Sequence, residues 1–210
     1  MAPHPLIETF RAARIVPVVR TSTAARAATA VEWLRDAGIT IFEITLTIPY
    51  ALSVIRDVAS YPTLLVGAGT VPNAAAAEEC ISAGSRFIVS PWVDPTLAAA
   101  CQASGACLMM GAFTPTEVRA ARAGGADVVK IFPASSAGGP GHIKSLRAVF
   151  PEIAFCPTGG VDARNAGEYI AAGAAFVGIG GKRVDEKAIA AGDREAVQAA
   201  AREALGIMQA

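Results

Sequence analysis

A chain of 210 residues with 53% hydrophobic and 17% charged residues can bury a core of its own, which excludes an intrinsically disordered protein. The formal net charge is +0 and no basic run occurs, so neither a nucleic-acid partner nor a membrane partner is expected. Length and even composition predict one domain over residues 1–210.

The cysteines, the histidines and the N-terminal segment exclude further classes of protein. The two histidines have no second ligand near them in sequence, which argues against a metal centre or a serine–histidine triad. Neither a secretory signal nor an apolar run of membrane-spanning length occurs, so we expect a cytoplasmic protein. The cysteines lack metal-type spacing and are predicted to be reduced core residues: Cys80, Cys101, Cys107 and Cys156.

Eight short β-branched runs alternate with alanine-rich amphipathic stretches along the chain, after an N-terminal helix near residues 5–13. A terminal helical region is predicted over residues 185–206. Near-continuous apolar strands that alternate with helices are typical of a parallel sheet buried on both faces. Eight such units predict an α/β fold of the (β/α)₈ barrel type, with an open doubly wound sheet as the alternative. The predicted strands are 14–20, 40–47, 63–68, 86–90, 107–111, 127–132, 153–157 and 175–179.

Lys130 lies inside the apolar run VVKIFP of the sixth strand, in a chain with four lysines and fourteen arginines. Burial disfavours a charged ammonium, and a neutral lysine amine can attack a carbonyl to form a Schiff base. A lysine that reaches solvent or pairs with a carboxylate explains the same pattern equally well.

Glu43 lies in the second strand, TIFEITLT. If the apolar residues of this alternation face the helices, Glu43, Thr45 and Thr47 face the barrel interior together. A carboxylate there needs a partner or a function, and an ion pair with Lys130 or Arg20 is the structural alternative. An interior lysine and an interior glutamate are the nucleophile and the acid/base that a class I aldolase requires.

Two glycine pairs follow the last two strands: Gly159 with Gly160, and Gly180 with Gly181. These strand ends are the usual phosphate position of a (β/α)₈ barrel. Glycine lets backbone N–H groups approach phosphate oxygens, and a following helix N-terminus adds a favourable dipole. The two pairs therefore predict a phosphate site.

Five motifs in order carry a resemblance over nearly the whole chain. They are EITLT at 43–47, GAGTV at 67–71, IVSP at 88–91, KIFPA at 130–134 and PTGGV at 157–161. Together they resemble the 2-keto-3-deoxy-6-phosphogluconate (KDPG) aldolase family, which includes 4-hydroxy-2-oxoglutarate (KHG) and phosphogalactonate aldolases. The resemblance implies a homotrimer, no metal or cofactor, and reversible cleavage of a 2-keto acid. The products would be pyruvate and an aldehyde, either glyceraldehyde 3-phosphate or glyoxylate.

The resemblance also implies roles for individual residues, with Lys130 as the Schiff-base lysine and Glu43 as the general acid/base. The implied pyruvate-end residues are Arg20, Thr47, Thr70, Pro91, Phe132 and Thr158. The implied phosphate-loop residues are Gly159 and Gly160. Gly180 and Gly181, after the next strand, complete the phosphate site that the glycine pairs predict.

The sequence departs from the family pattern at two places. Many members carry on strand two an arginine that holds the pyruvate carboxylate, and here that position is Thr47, so we expect Arg20 to supply the charge. The serine that often completes the phosphate site is replaced by Gly181, with Lys182 beside it.

Two other functions stay open at this point. A phosphosugar isomerase or epimerase would share the phosphate corner, although metal-dependent ones need His and Asp ligands that this sequence does not offer, and none needs a buried lysine on strand six. A non-catalytic barrel is the other alternative. Only an enzyme that forms an imine is labelled covalently by borohydride in the presence of pyruvate.

Overall fold

The computed structural model describes residues 3–180 and 186–209. Its strands are β1 Ile15–Val19, β2 Ile41–Thr45, β3 Leu65–Gly69, β4 Phe87–Val89, β5 Cys107–Ala112, β6 Val128–Ile131, β7 Ala154–Pro157 and β8 Val177–Ile179. Its helices are α1 Leu6–Ala13, α2 Ala24–Asp36, α3 Ala51–Ala59, α4 Ala74–Ser82, α5 Ala98–Ser104, α6 Pro115–Ala123, α7 Gly139–Val149, α8 Ala163–Ala171, α9 Glu186–Ala190 and α10 Arg194–Gln209. Each predicted strand contains most of an observed one.

The strands form one parallel sheet in the order β7-β6-β5-β4-β3-β2-β1-β8. A parallel bridge between Thr158 and Gly178 joins the two outer strands, and the Ala175 N–H donates to the Phe155 carbonyl at 2.9 Å. These contacts close the sheet into a ring. The predicted (β/α)₈ barrel is therefore confirmed, and the open doubly wound sheet is wrong.

Local signals explain where helices begin. Thr23 accepts a hydrogen bond from the Arg26 N–H at 3.2 Å and caps α2. A 3₁₀ turn, Pro95–Leu97, precedes α5; Asp94 caps it and proline occupies its first position. Within residues 3–180 and 186–209, no helix is long and apolar enough to cross a membrane.

The barrel interior holds an apolar cluster separate from the one between strands and helices. Two residues of α1, Ile7 and Phe10, belong to the interior cluster. The Phe10 ring lies edge-on to Phe87 at 5.2 Å between centroids and stacks on Phe176 at 4.8 Å. Helix α1 therefore closes the amino-terminal end of the barrel and leaves the carboxyl-terminal end open.

All four cysteines are buried and free. Burial raises the pKa of the Cys80 thiol and of the Cys101 thiol to about 12, and it raises the pKa of Cys107 as well. These thiols stay protonated, which agrees with their predicted place in the core.

Candidate active site

Lys130 and Glu43 meet inside the barrel although their strands are four apart. The Lys130 Nζ atom donates to Glu43 Oε1 at 3.2 Å, and the two side chains are 7% and 6% exposed. Strands β2 and β6 lie opposite each other in the eight-stranded ring, so the pair spans the interior. The structure thus brings together the two residues that the sequence predicts for catalysis.

Glycines on two nearby strands make room for Glu43 and for the loop that follows β4. A β-carbon at Gly69 on β3 would lie 2.2 Å from Glu43 Oε1. A β-carbon at Gly111 on β5, the register partner of Lys130, would lie 2.2 Å from the Pro91 carbonyl oxygen. The glycines let the carboxylate of Glu43 and the loop after β4 approach the strands closely.

A pocket of about 670 Å³ opens at the carboxyl ends of the strands. Lys130 lies in its wall. Glu43 is not in the wall itself but is hydrogen-bonded to Lys130 Nζ. The described residues that line it are Val18, Arg20, Thr70, Pro91, Trp92, Lys130, Phe132, Thr158, Gly159, Gly160, Val161 and Gly180. Most of the predicted substrate-binding residues therefore share one cavity.

Of the described residues that were predicted to bind substrate, Thr47 is not in this wall. Thr47 is exposed beyond the end of β2, and its hydroxyl lies 2.9 Å from that of Thr45, which in turn donates to the Val19 carbonyl. Its predicted place in the interior beside Glu43 is wrong, because the strand ends at Thr45 and the alternation ends with it. Gly181 lies outside the described residues.

Arg20 and Thr70, both predicted for the pyruvate end, contact each other. The Arg20 Nη2 atom donates to Thr70 Oγ1 at 3.2 Å, and the Arg20 side chain is exposed at the pocket. Thr70 adopts a left-handed backbone conformation with φ of 59° directly after β3. The contact leaves Arg20 free of any ion pair with Glu43 among the described residues.

Thr158 lines the pocket and is 5% exposed. A β-carbon at Gly178 would lie 2.2 Å from that hydroxyl oxygen. The oxygen lies 3.7 Å from the sulfur of Cys156. Burial raises the pKa of the Cys156 thiol to about 12, although the positive charge of Lys130 acts to lower it. Cys156 is therefore a protonated core thiol, not a nucleophile.

The loop after β7 lines the pocket with Gly159 and Gly160. Gly159 and Gly160 have φ of 88° and 75°, a conformation that favours glycine. Asn165 donates to the Gly160 carbonyl at 2.9 Å and holds the loop against α8. Across residues 3–180 and 186–209, the N–H groups of Gly159 and Gly160 have no hydrogen-bond acceptor, so they are available to an anion.

The sequence reasoning missed Val18, Trp92 and Val161 in the pocket wall. Trp92 directly follows Pro91 at the end of β4, so the rule that strand ends carry the site would have found it. Val18 lines the pocket from β1, where its register partner is Glu43. The sequence of β1 does not reveal this, because all five of its residues are buried.

Comparison with known proteins decides the family. The model of the family described as "Aldolase: KDPG and KHG aldolase" matches residues 6–200. The chain belongs to the KDPG and KHG aldolase family. This aldolase is 36% identical over 199 residues to the 2-dehydro-3-deoxy-phosphogluconate aldolase of Pseudomonas aeruginosa strain PAO1, a match that covers 93% of this chain and 89% of that protein.

Two further relatives agree. The KHG/KDPG aldolase of Escherichia coli K12 is 31% identical to this aldolase over 192 residues, which covers 91% of this chain and 90% of that protein. The KDPG aldolase of Legionella pneumophila, with pyruvate captured at low pH as a covalent carbinolamine intermediate, has a TM-score of 0.85 and 32% identity. That match covers 93% of this chain and 96% of the other. The predicted family and enzyme class, an aldehyde-lyase, are confirmed.

Proposed function

We propose that Lys130 is the Schiff-base nucleophile and Glu43 the general acid/base in the cleavage of a 2-keto acid by this aldolase. The observation that carries the proposal is the buried 3.2 Å contact between Nζ and Oε1, at the wall of a pocket large enough for a sugar acid. A proton that moves from Nζ to Oε1 leaves a neutral amine and a carboxylic acid, with no change in the total charge of the pair.

The reaction begins when the neutral Lys130 amine attacks the C2 ketone of the substrate. The carbonyl π electrons move to oxygen, which takes a proton from Glu43, and the carbinolamine that results loses water to give a protonated imine. The relative from Legionella pneumophila that holds pyruvate as a carbinolamine supports this step.

Carbon–carbon cleavage follows from the electron demand of the imine. The electrons of the C3–C4 bond move into the imine, while Glu43, directly or through one water, takes the proton of the C4 hydroxyl. An aldehyde and the enamine of pyruvate result. Protonation of the enamine at C3 and hydrolysis of the imine release pyruvate and free Lys130. Acid/base assistance of this kind contributes about 10²–10⁴-fold to the rate.

Arg20 holds the substrate carboxylate in this proposal. Every 2-keto acid brings an anion into the pocket, and among the described wall residues only Arg20 and Lys130 carry positive charge. Lys130 is consumed by the imine, so Arg20 is left to pair with the carboxylate, with Thr70 beside it to donate a hydrogen bond. Thr158 supplies a second hydroxyl, and Pro91 and Phe132 form the apolar part of this end.

The aldehyde half of the substrate extends toward the loops after β7 and β8. Free N–H groups at Gly159 and Gly160, with Gly180 after β8, support binding of a terminal phosphate. We expect Gly181, the next residue in the sequence, to extend this site. The substrate is therefore a 2-keto-3-deoxy-6-phospho sugar acid, with 4-hydroxy-2-oxoglutarate as a second substrate. The names of the Pseudomonas aeruginosa and Escherichia coli relatives support both.

Reduction with borohydride tests the nucleophile directly. In the presence of pyruvate, wild-type enzyme should gain one pyruvate-derived adduct per chain, and peptide mass spectrometry should place it on Lys130. A parallel assay of pyruvate release from the keto acids of phosphogluconate, phosphogalactonate and hydroxyglutarate ranks the substrates. Absence of any adduct, or an adduct on another lysine, would overturn the assignment.

The assembly and location of the protein belong to the same proposal. The family resemblance supports a homotrimer that works in the cytoplasm without a metal or cofactor. Light scattering of the purified protein measures its oligomeric state. Activity after exhaustive chelation tests whether the enzyme needs a metal.

A further inference from the structure

Trp92 lies at the mouth of the active-site pocket, where it is 49% exposed. Its backbone is held in place, because its N–H donates to Ser90 Oγ and its carbonyl accepts from the Gly111 N–H, both at 3.3 Å. Gly111 is the register partner of Lys130. The backbone of Trp92 is therefore held against β5, the strand next to that of the nucleophile.

The position of Trp92 in the ring of strands places it opposite the phosphate loops. Strands β4 and β8 are four apart in the closed sheet, so the loop after β4 and Gly180 after β8 stand on opposite sides of the mouth. Gly159 and Gly160 follow the neighbouring strand β7. A carbon chain bound to Lys130 that extends outward would have these glycines on one side and Trp92 on the other.

The wall on the Trp92 side is apolar. Pro91, Trp92 and Phe132 form it from β4 to β6, and the Phe132 ring centroid lies 5.8 Å from Lys130 Nζ. Among the described residues of the wall, Arg20 and Lys130 carry the charged side chains. Arg20 lies on the other side, near β1 and β3, where it contacts Thr70. An exposed aromatic face binds planar or apolar groups with a small loss of side-chain entropy.

We infer that Trp92 is a specificity-determining residue: it gives the aldehyde subsite an apolar side that faces the phosphate loops, and it raises the preference for acceptors with an aromatic or apolar substituent over a short anionic acceptor such as glyoxylate. The inference rests on the proposed imine chemistry of Lys130, run in the direction of bond formation. The enamine of pyruvate attacks the aldehyde carbon through C3, and the carbonyl π electrons move to oxygen, which takes a proton from Glu43. Water then hydrolyses the imine, which frees the aldol product and Lys130.

Steady-state synthesis with pyruvate and two aldehydes tests this preference. Benzaldehyde carries an apolar ring that can pack against Trp92, whereas glyoxylate carries only a carboxylate. Trp92→Gly should raise the KM for benzaldehyde on the order of tenfold, because stacking and apolar burial are lost. The KM for glyoxylate should change less than about twofold, within the scatter expected of a residue that does not touch it. Trp92→Phe, which keeps an aromatic face, should retain most of the preference.

Phe113→Ala is the matched control. Phe113 is another partly exposed aromatic at a strand end, 38% exposed after β5, and it lies outside the described wall of the pocket. Its removal should leave the KM for both aldehydes unchanged. A rise equal to that of Trp92→Gly would show a general effect of lost surface aromatics and overturn the inference.

Fluorescence gives a binding measurement independent of turnover. The chain has two tryptophans, so Trp33→Phe leaves Trp92 as the single reporter. Enzyme whose Lys130 is blocked by reduced pyruvate should show a saturable change in Trp92 emission with benzyl alcohol, which cannot form an imine. No change would mean that the ring does not bind beside Trp92.

The outcomes separate this inference from the proposed function. Unchanged benzaldehyde KM in Trp92→Gly overturns the inference, as does an equal rise for both aldehydes with less pyruvate trapping, which would give Trp92 a purely structural role. If borohydride and pyruvate fail to label the wild-type enzyme, the proposed function itself is wrong.

Discussion

The two ends of the barrel interior come from the same eight strands but hold different side chains. At the amino end, Phe10, Phe87 and Phe176 pack ring against ring, and at the carboxyl end Glu43 and Lys130 form a buried charged pair.

Strand β3 makes room at both ends by the same means. A β-carbon at Gly67 would lie 2.3 Å from the Phe87 ring, and one at Gly69 would lie 2.2 Å from the Glu43 carboxylate. Two glycines on one strand thus make space for two different groups: an aromatic ring in the apolar core at the amino end, and the carboxylate that we propose for catalysis at the carboxyl end. Substitutions at the carboxyl end should therefore change turnover, and those at the amino end should change stability.

Lys130→Met should have the largest effect on turnover. Without the nucleophile, imine trapping should disappear and cleavage should fall by roughly 10⁴-fold or more. The partnerless Glu43 carboxylate also costs stability, so circular dichroism should accompany the assay, with the double variant Lys130→Met and Glu43→Gln as the control for folding. Adduct at the wild-type level in Lys130→Met would make another lysine the nucleophile.

Glu43→Gln should separate two steps that share one site. The amide keeps the shape of the side chain but cannot exchange protons, so cleavage should slow by about 10²–10⁴-fold. An imine should still form on long incubation, because solvent can exchange the protons of the amine and the carbinolamine. Pyruvate trapping and turnover should be measured on the same preparation. Equal loss of both would restrict Glu43 to tuning or holding Lys130.

Gly69→Ala should reduce turnover through Glu43 alone. The added methyl group must displace the carboxylate, and a misplacement of about 1 Å can reduce the rate by about 10²-fold. Pyruvate trapping should be nearly unaffected, which distinguishes this variant from Lys130→Met. Gly167→Ala is the control, because no atom lies within 4 Å of a β-carbon at that helical site. Similar turnover in both variants would contradict the role of Gly69.

Arg20→Ala should have a smaller effect, focused on affinity for the carboxylate. Because Arg20 is exposed, solvent screens its charge, and the loss should be about tenfold in pyruvate affinity rather than the larger loss of a fully desolvated pair. Inhibition of cleavage by pyruvate measures this affinity. Unchanged pyruvate inhibition with weaker binding of phosphorylated substrates would place Arg20 at the phosphate instead.

Phe10→Ala should have the smallest effect on turnover and a large one on stability. Removing a fully buried ring at the amino end should cost about 3–5 kcal/mol in the free energy of unfolding. The kcat of the protein that remains folded should change little. Urea denaturation and the kcat measured well below the transition check both, and a large fall in kcat would mean that the two ends are coupled.

Much of this arrangement could be predicted from sequence because the barrel follows strict periodicity. The alternation in TIFEITLT predicts that Glu43 points inward, and an apolar run around Lys130 predicts its burial. Thr47 was misplaced because alternation holds only while the strand lasts, and β2 ends two residues earlier. The space that Gly69 provides for Glu43 depends on how neighbouring strands are staggered, which local sequence does not encode.

The closure of the barrel by α1 has a kinetic consequence. Since Ile7 and Phe10 seal the amino end, substrate and both products use the same opening at the carboxyl end. If Lys130 forms the proposed imine, the three-carbon fragment is still bonded to it after cleavage, and the aldehyde, which has no covalent bond to the protein, departs first. We therefore expect ordered release of two products, in which pyruvate competes with the keto acid for the free enzyme and the aldehyde inhibits noncompetitively.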